Sequence, residues 1–203
     1  MASLSALTQL DVETRAHHDA SDAPWLELLL RDVTVEGYIA QLVRTYGFEA
    51  PLEAALAYTP RLGALLDLRA HWRAGLIAQD LLALDMAPSA IANIPQSPSI
   101  APFATTTQAL GWLYVVERSS RIHEVVAEHL ERWLPRYAGA RTYLCAYRNV
   151  REQRWRELGE VLEQAHPSTE LIAAAHEAFR TARRWFDGDV ATYAASMYST
   201  RWS

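Results

Sequence analysis

An all-α, single-domain fold is what this sequence predicts, and three observations predict it. Apolar residues recur at helical spacing along almost the whole chain. Strict apolar–polar alternation over five or more residues is hard to find, and the one Asp-Gly pair, Asp187-Gly188, lies between helical patterns rather than in a hairpin. The 203 residues, 50% of them hydrophobic, suffice for one sizeable core and are marginal for two, so residues 1–203 are read as one domain.

The elements follow in order. Leu4, Leu7 and Leu10 open a first helix, read over about 4–22. Thr34 can cap a second, over about 34–57, with Glu36 favourable in its first turn. Its stripe is Tyr38, Ile39, Leu42, Val43 and Tyr46, at offsets of three and four. A third helix is read over about 60–84. Pro88, Pro95, Pro98 and Pro102 remove amides and restrict the residues before them, which predicts a long surface loop. Further helices are read over about 105–133, 138–165 and 169–187, with a short one after 188. Ser168 or Thr169, followed by Glu170, starts the helix at about 169.

Composition narrows the function classes. A formal net charge of -5 gives no basic footprint for nucleic acid or anionic lipid. The single cysteine, Cys145, cannot form an internal disulfide, which agrees with a reducing, cytoplasmic setting. Met1-Ala2-Ser3-Leu4-Ser5 lacks the basic start and long apolar run of a signal peptide. The apolar stretch Ile77–Leu84 is broken by Gln79 and Asp80, and no segment reaches the ~20 apolar residues of a membrane helix. Oligomeric state is not written in these patterns.

The seven histidines, His17, His18, His71, His123, His129, His166 and His176, raise the question of a metal. Paired Cys-x-x-Cys and His-Glu-x-x-His motifs are absent, so zinc signals are missing. A di-iron bundle needs Glu-x-x-His on facing helices, and only Glu163-Gln164-Ala165-His166 fits, running into Pro167. No Gly-x-Ser-x-Gly elbow marks a serine nucleophile. His18 stands out by its context, Glu13-Thr14-Arg15-Ala16-His17-His18-Asp19-Ala20-Ser21-Asp22.

That segment resembles the proximal-histidine segment of bacterial haem oxygenases. There a threonine precedes the iron-binding histidine by four residues, and a small residue and an acid follow. Thr14, His18, Ser21 and Asp22 take those places, with His17 as the neighbour. Val33-Thr34-Val35-Glu36-Gly37-Tyr38 resembles the start of the family's second helix. Arg73 through Gln79-Asp80-Leu81-Leu82-Ala83-Leu84 resembles the end of its third. Ala109-Leu110-Gly111-Trp112-Leu113-Tyr114-Val115-Val116-Glu117 resembles the start of the bacterial distal helix, and Ala178-Phe179 with Trp185-Phe186 the last core helix.

The resemblance implies haem as cofactor and substrate, opened to biliverdin, carbon monoxide and iron with electrons from a reductase or ferredoxin. It implies a catalytic set of His18, Ser119, Ser120 and His123, with Tyr114, Arg118, Ile122 and Arg156 against the haem. The pattern departs from the family after Glu117. A run of Gly-Ser-Thr-Leu-Gly-Gly type is replaced by Arg118-Ser119-Ser120-Arg121-Ile122-His123, so Arg118, Ile122 and His123 stand for glycines. Glycine lets a helix approach a flat ligand closely and bend. Three outcomes are then open: His123 binds iron opposite His18, the distal helix retreats, or haem is lost and the fold remains. The function follows the same division: a haem oxygenase, a haem-binding or sensor protein without turnover, or a helical interaction protein. Arg156 is placed for a haem carboxylate, whereas Asp11, where some relatives have lysine, carries the wrong charge.

Overall fold

The computed structural model describes residues 5–165 and 168–188. The regular structure among them is helical, without a strand. In chain order the α-helices are α1 (Ala6–Glu13), α2 (His18–Leu26), α3 (Val35–Ala57), α4 (Leu62–Leu65), α5 (Ala74–Ala83), α6 (Pro88–Ala92), α7 (Thr106–Ser119), α8 (His123–Trp133), α9 (Thr142–Cys145), α10 (Arg151–Gln164) and α11 (Thr169–Phe186).

Two helices start where their capping residues predict. The Thr34 hydroxyl accepts from the Gly37 amide at 3.1 Å at the head of α3, and Ser168 accepts from Leu171 at 3.2 Å at the head of α11. Other predicted helices are broken, for local reasons. The Thr14 hydroxyl turns back onto the Leu10 carbonyl at 2.7 Å, and the chain passes through a 3₁₀ turn, Arg15–His17, before α2 begins. Arg61 takes a left-handed conformation at φ 63°, so the span read as one helix becomes α4, a 3₁₀ turn and α5. The Glu53 carboxylate accepts from the Arg73 and Ala74 amides and so caps α5. The distal span divides at the 3₁₀ turn Ser120–Ile122, inside the altered run. The span read over 138–165 resolves into α9 and α10. The short helix read after 188, and His166, lie outside the described residues.

The proline-rich stretch is not the plain surface loop its prolines predict. It contains α6 and buries Ile91 and Ile94. Pro51 lies within α3 and has no amide to offer the Gly47 carbonyl four residues back. That carbonyl instead accepts from the Ser97 amide at 2.8 Å. A side chain at Gly47 would strike the Pro95 carbonyl and the Trp185 ring, so this close approach requires glycine.

The core has two clusters. One joins α1, the second half of α3, α7, α10 and α11; the other joins the end of α2, the first half of α3, α5, α8 and α9. The most extensive packing is of α7 on α11. Gly111 permits it, because a Cβ there would stand 2.8 Å from both the Ala174 side chain and the Leu171 carbonyl. Phe48 and Phe179 of the first cluster face Trp25 and Tyr143 of the second across a cleft.

Candidate functional site

The cleft runs between α2 on one side and α7, α3 and α11 on the others. From α2 it is lined by Ala20, Ser21, Pro24 and Trp25, with His17 just before; from α7 by Val115, Val116 and Ser119. Gln41, Thr45, Phe48 and Glu49 of α3, Tyr143 of α9, and Phe179, Ala182, Arg183 and Phe186 of α11 complete it, with Asp187 just after. Its walls are mainly apolar, with a few polar groups, as ligand sites are. The buried side-chain amide nitrogen of Gln41 has no partner among the described residues.

The two adjacent histidines face different ways. His17 is on the cleft wall, on one face with Ala20, Ser21 and Pro24. Its ring stacks on Phe179 with centroids 5.3 Å apart, and its Nε2 lies 2.9 Å from His176 Nδ1. His18 is turned toward Thr14, with Nε2 3.2 Å from the Thr14 hydroxyl oxygen. The Thr14 proton goes to the Leu10 carbonyl, so His18 Nε2–H is the donor and Nδ1 carries the lone pair. Tyr114 OH, 3.4 Å from the same oxygen, donates to its remaining lone pair. Burial, then the nearby His176, lowers the pKa of His17; burial, then the Arg118 charge, lowers that of His18. Both imidazoles are therefore neutral at pH 7, the form that ligates metals.

Beside the cleft the two walls are joined. Arg118 of α7 donates to both carboxylate oxygens of Asp22 on α2, at 2.8 and 3.1 Å. The side chains are 9% and 18% exposed, so solvent screens this pair less than a surface bridge. Two parallel charge-assisted bonds of this kind are among the stronger hydrogen bonds.

A buried polar network lies behind the cleft floor. Arg73, 1% exposed, donates to the Glu49 carboxylate at 3.1 Å and the Val116 carbonyl at 3.2 Å. Tyr143 donates to Glu49 at 2.6 Å, and Tyr147 to Glu117 at 2.9 Å. His71 Nδ1 lies 2.9 Å from Glu117. Burial pushes Glu49 up to about 7 against the pull of Arg73 and Tyr143. Burial also acts to raise Glu117, but the His71 hydrogen bond and the Arg73 charge outweigh it and hold that carboxyl below its usual range. Sequence reasoning missed Glu49, Glu117 and His71 as members of a network, and met Arg73 only as the start of a motif. An arginine and two glutamates inside otherwise apolar helical stripes were the available signal.

The altered run is placed differently from expectation. His123 does not reach the cleft: it is 3% exposed, with Trp25 and Tyr143 rings 5.0 and 4.9 Å away, and those rings are themselves cleft wall. Burial, then Arg73, lowers its pKa well below the usual value. It lines instead a small cavity of about 10 Å³ with Arg73, Ser120 and Tyr147. Ile122 packs against the second core cluster. The 3₁₀ turn Ser120–Ile122 causes both displacements by carrying the chain off the cleft, so neither side chain fills it. Ser119 lines the cleft and donates to the Val116 carbonyl at 2.7 Å; Ser120 is buried and donates to the Glu117 carbonyl. Tyr114 is fully buried beneath His18 and does not line the cleft. Arg156 is exposed and lines no described cavity, because its face of α10 points to solvent; Arg183 is the arginine on the cleft wall. Asp11 lies 3.6 Å from Arg121.

No family model matches this chain, and no curated protein sequence matches it. Among solved structures, the NO- and CO-bound haem oxygenase from Neisseria meningitidis is similar over 95% of this chain and 94% of that chain. The TM-score is 0.74 and the sequence identity 22%. The fold is that of a haem oxygenase. Within a haem oxygenase fold the donor set here fits a haem in kind. Neutral imidazoles stand at the head of α2 (His18) and just before it (His17), aromatic and aliphatic side chains line the cleft, Arg183 offers a charge for a carboxylate, and the Gln41 side-chain nitrogen has no partner among the described residues. The free volume, about 60 Å³, falls below the roughly 300–1,000 Å³ of small-molecule sites. The cleft as it stands is therefore smaller than a porphyrin would need. No helix among the described residues is long and apolar enough to cross a membrane.

Proposed function

We propose that this chain binds haem between α2 and α7 through a histidine of the His17–His18 pair and opens it oxidatively to biliverdin, carbon monoxide and iron. The observation that carries the proposal is the cleft itself, bounded in a haem oxygenase fold by α2, with neutral His18 at its head and neutral His17 just before it on the cleft wall. When bound, haem supplies the iron that activates dioxygen and the ring that is opened; electrons come from a separate reductase or ferredoxin.

The chain's own residues have distinct tasks. The proposed iron ligand is His18, the position the resemblance implies. Its ring must turn from Thr14 to present a nitrogen to the iron. Phe179 and Phe186 exclude water along one wall. Ser119 presents a hydroxyl on the α7 wall, and Glu49, poised near neutrality, can hold or release a proton at its carboxylate on the cleft floor. His17 is the second candidate ligand, favoured by its place on the cleft wall. Haem binding without turnover is a second reading of function, favoured by Arg118, which replaces a glycine of the family's pattern and is tied to Asp22.

Hemin titration tests the proposal. The expected result is a saturable Soret band that is lost or shifted in His18→Ala and retained in His17→Ala; the reverse assignment identifies His17. Absence of a saturable band in the unaltered protein refutes haem binding. Ascorbate or a ferredoxin system then yields biliverdin absorption and carbon monoxide if the bound haem is opened, and an unchanged Soret band if it is only held.

A further inference from the structure

We propose that the Arg118–Asp22 ion pair is a clasp that sets how far α2 and α7 part, and so governs admission of a flat ligand to the cleft. The effect on admission rests on the reading of the cleft as a haem site; the effect on α2 does not.

The pair sits where a clasp must. Asp22 adjoins Ser21, and Arg118 adjoins Ser119, and both serines are cleft wall on opposite sides. The pair therefore ties the two walls at their edge, through two hydrogen bonds on largely buried groups. Asp22 is also four residues from His18, on one face of α2, so the guanidinium that holds Asp22 stands beside the His18 imidazole. Access to His18 from the α7 side requires that guanidinium to leave.

α2 is built to move when released. Among its residues Trp25 alone is buried, near the C-terminal end, where it is gripped by His123 and Tyr143. Pro24 lies inside the helix and has no amide for the Ala20 carbonyl, which weakens the hydrogen-bond ladder in mid-helix. A 3₁₀ turn, not continuous α-helix, links α2 to α1. The helix is thus pinned at one end by a ring and near the other by Arg118 and the His17–His176 contact. Removing Arg118 unties the edge of the cleft and leaves α2 held by Trp25 at one end and by the His17–His176 contact at the other.

Amide hydrogen exchange of the ligand-free protein, with stopped-flow hemin association, tests this. In Asp22→Asn, amides of residues 18–26 should exchange about tenfold faster, the scale of one charged hydrogen-bonded pair, while those of α11 keep their rates. Hemin association should quicken alongside. Exchanging the two charges, Asp22→Arg with Arg118→Asp, should return both rates toward those of the unaltered protein. Unchanged exchange in α2, or equal acceleration in α2 and α11, overturns the clasp. Faster exchange with unchanged hemin association overturns its control of admission. If the unaltered protein shows no saturable hemin binding, the functional reading fails, and the exchange rates alone decide whether the two helices are clasped.

Discussion

The two helices that face each other across the cleft are held in opposite ways. In α7, nine of fourteen residues are buried, and Gly111 seats it directly on α11. In α2, one of nine residues is buried, and much of its attachment is polar: Asp22 to Arg118, and the adjoining His17 to His176. Apolar packing is dense and cannot be altered piecemeal, whereas a hydrogen-bonded attachment can exchange partners. On the proposed clasp, the wall held by polar contacts is the one that gives way while the packed wall stays fixed.

Breaking the fixed side should have the largest effect. Arg73→Met removes the cation from the network behind α7 and leaves the buried Glu49 carboxylate and the Val116 carbonyl without their donor, which should cost about 3–5 kcal/mol. Thermal unfolding should show the midpoint falling by roughly 10 °C. Gly111→Val forces a side chain into Ala174 and the Leu171 carbonyl, and α7 and α11 must separate. A loss of about 1–3 kcal/mol in urea unfolding is expected, and an unchanged midpoint would mean that this crossing is not the rigid element described.

A pH profile sharpens the comparison, because Glu49 lines the cleft floor and is buried in the network behind α7. Its folded pKa, about 7, is above the usual 4.5. The folded state therefore binds the proton more tightly. The contribution of Glu49 to stability is fully present below about pH 4.5 and is lost as pH rises through about 7. Glu49→Gln should flatten that part of the stability–pH curve, by on the order of 1–3 kcal/mol across the window. An unaltered slope between pH 4.5 and 7 in the variant would assign the dependence elsewhere. The releasable side should give the smallest global effect: the clasp variants change exchange within α2 far more than the unfolding midpoint.

How much of the site the sequence disclosed differs by residue. Thr14 was legible as a marker and proves to be the acceptor that orients His18. The histidine pair was legible, but not which ring lines the cleft. That depends on the 3₁₀ turn at 15–17, since a 3₁₀ turn advances 120° per residue against 100° in an α-helix and so rotates the faces that follow. Arg118 was legible as a replaced glycine; its partner, 96 residues earlier, was not. A place for His123 opposite His18 was one of three outcomes left open by the altered run, and its ring lies against Trp25 and Tyr143, off the cleft.

By itself the sequence determined what is local: helical periodicity, the absence of strand and hairpin signals, the caps at Thr34 and Ser168, and with them the span of α3 and α11. The tertiary structure alone decided which polar residues are buried together and which side chains face the cleft. The physical reason is range. A cap or a stripe is settled by neighbours three or four residues away, whereas Arg73 meeting Glu49 and Val116, or Arg118 meeting Asp22, depends on how distant helices pack around the core.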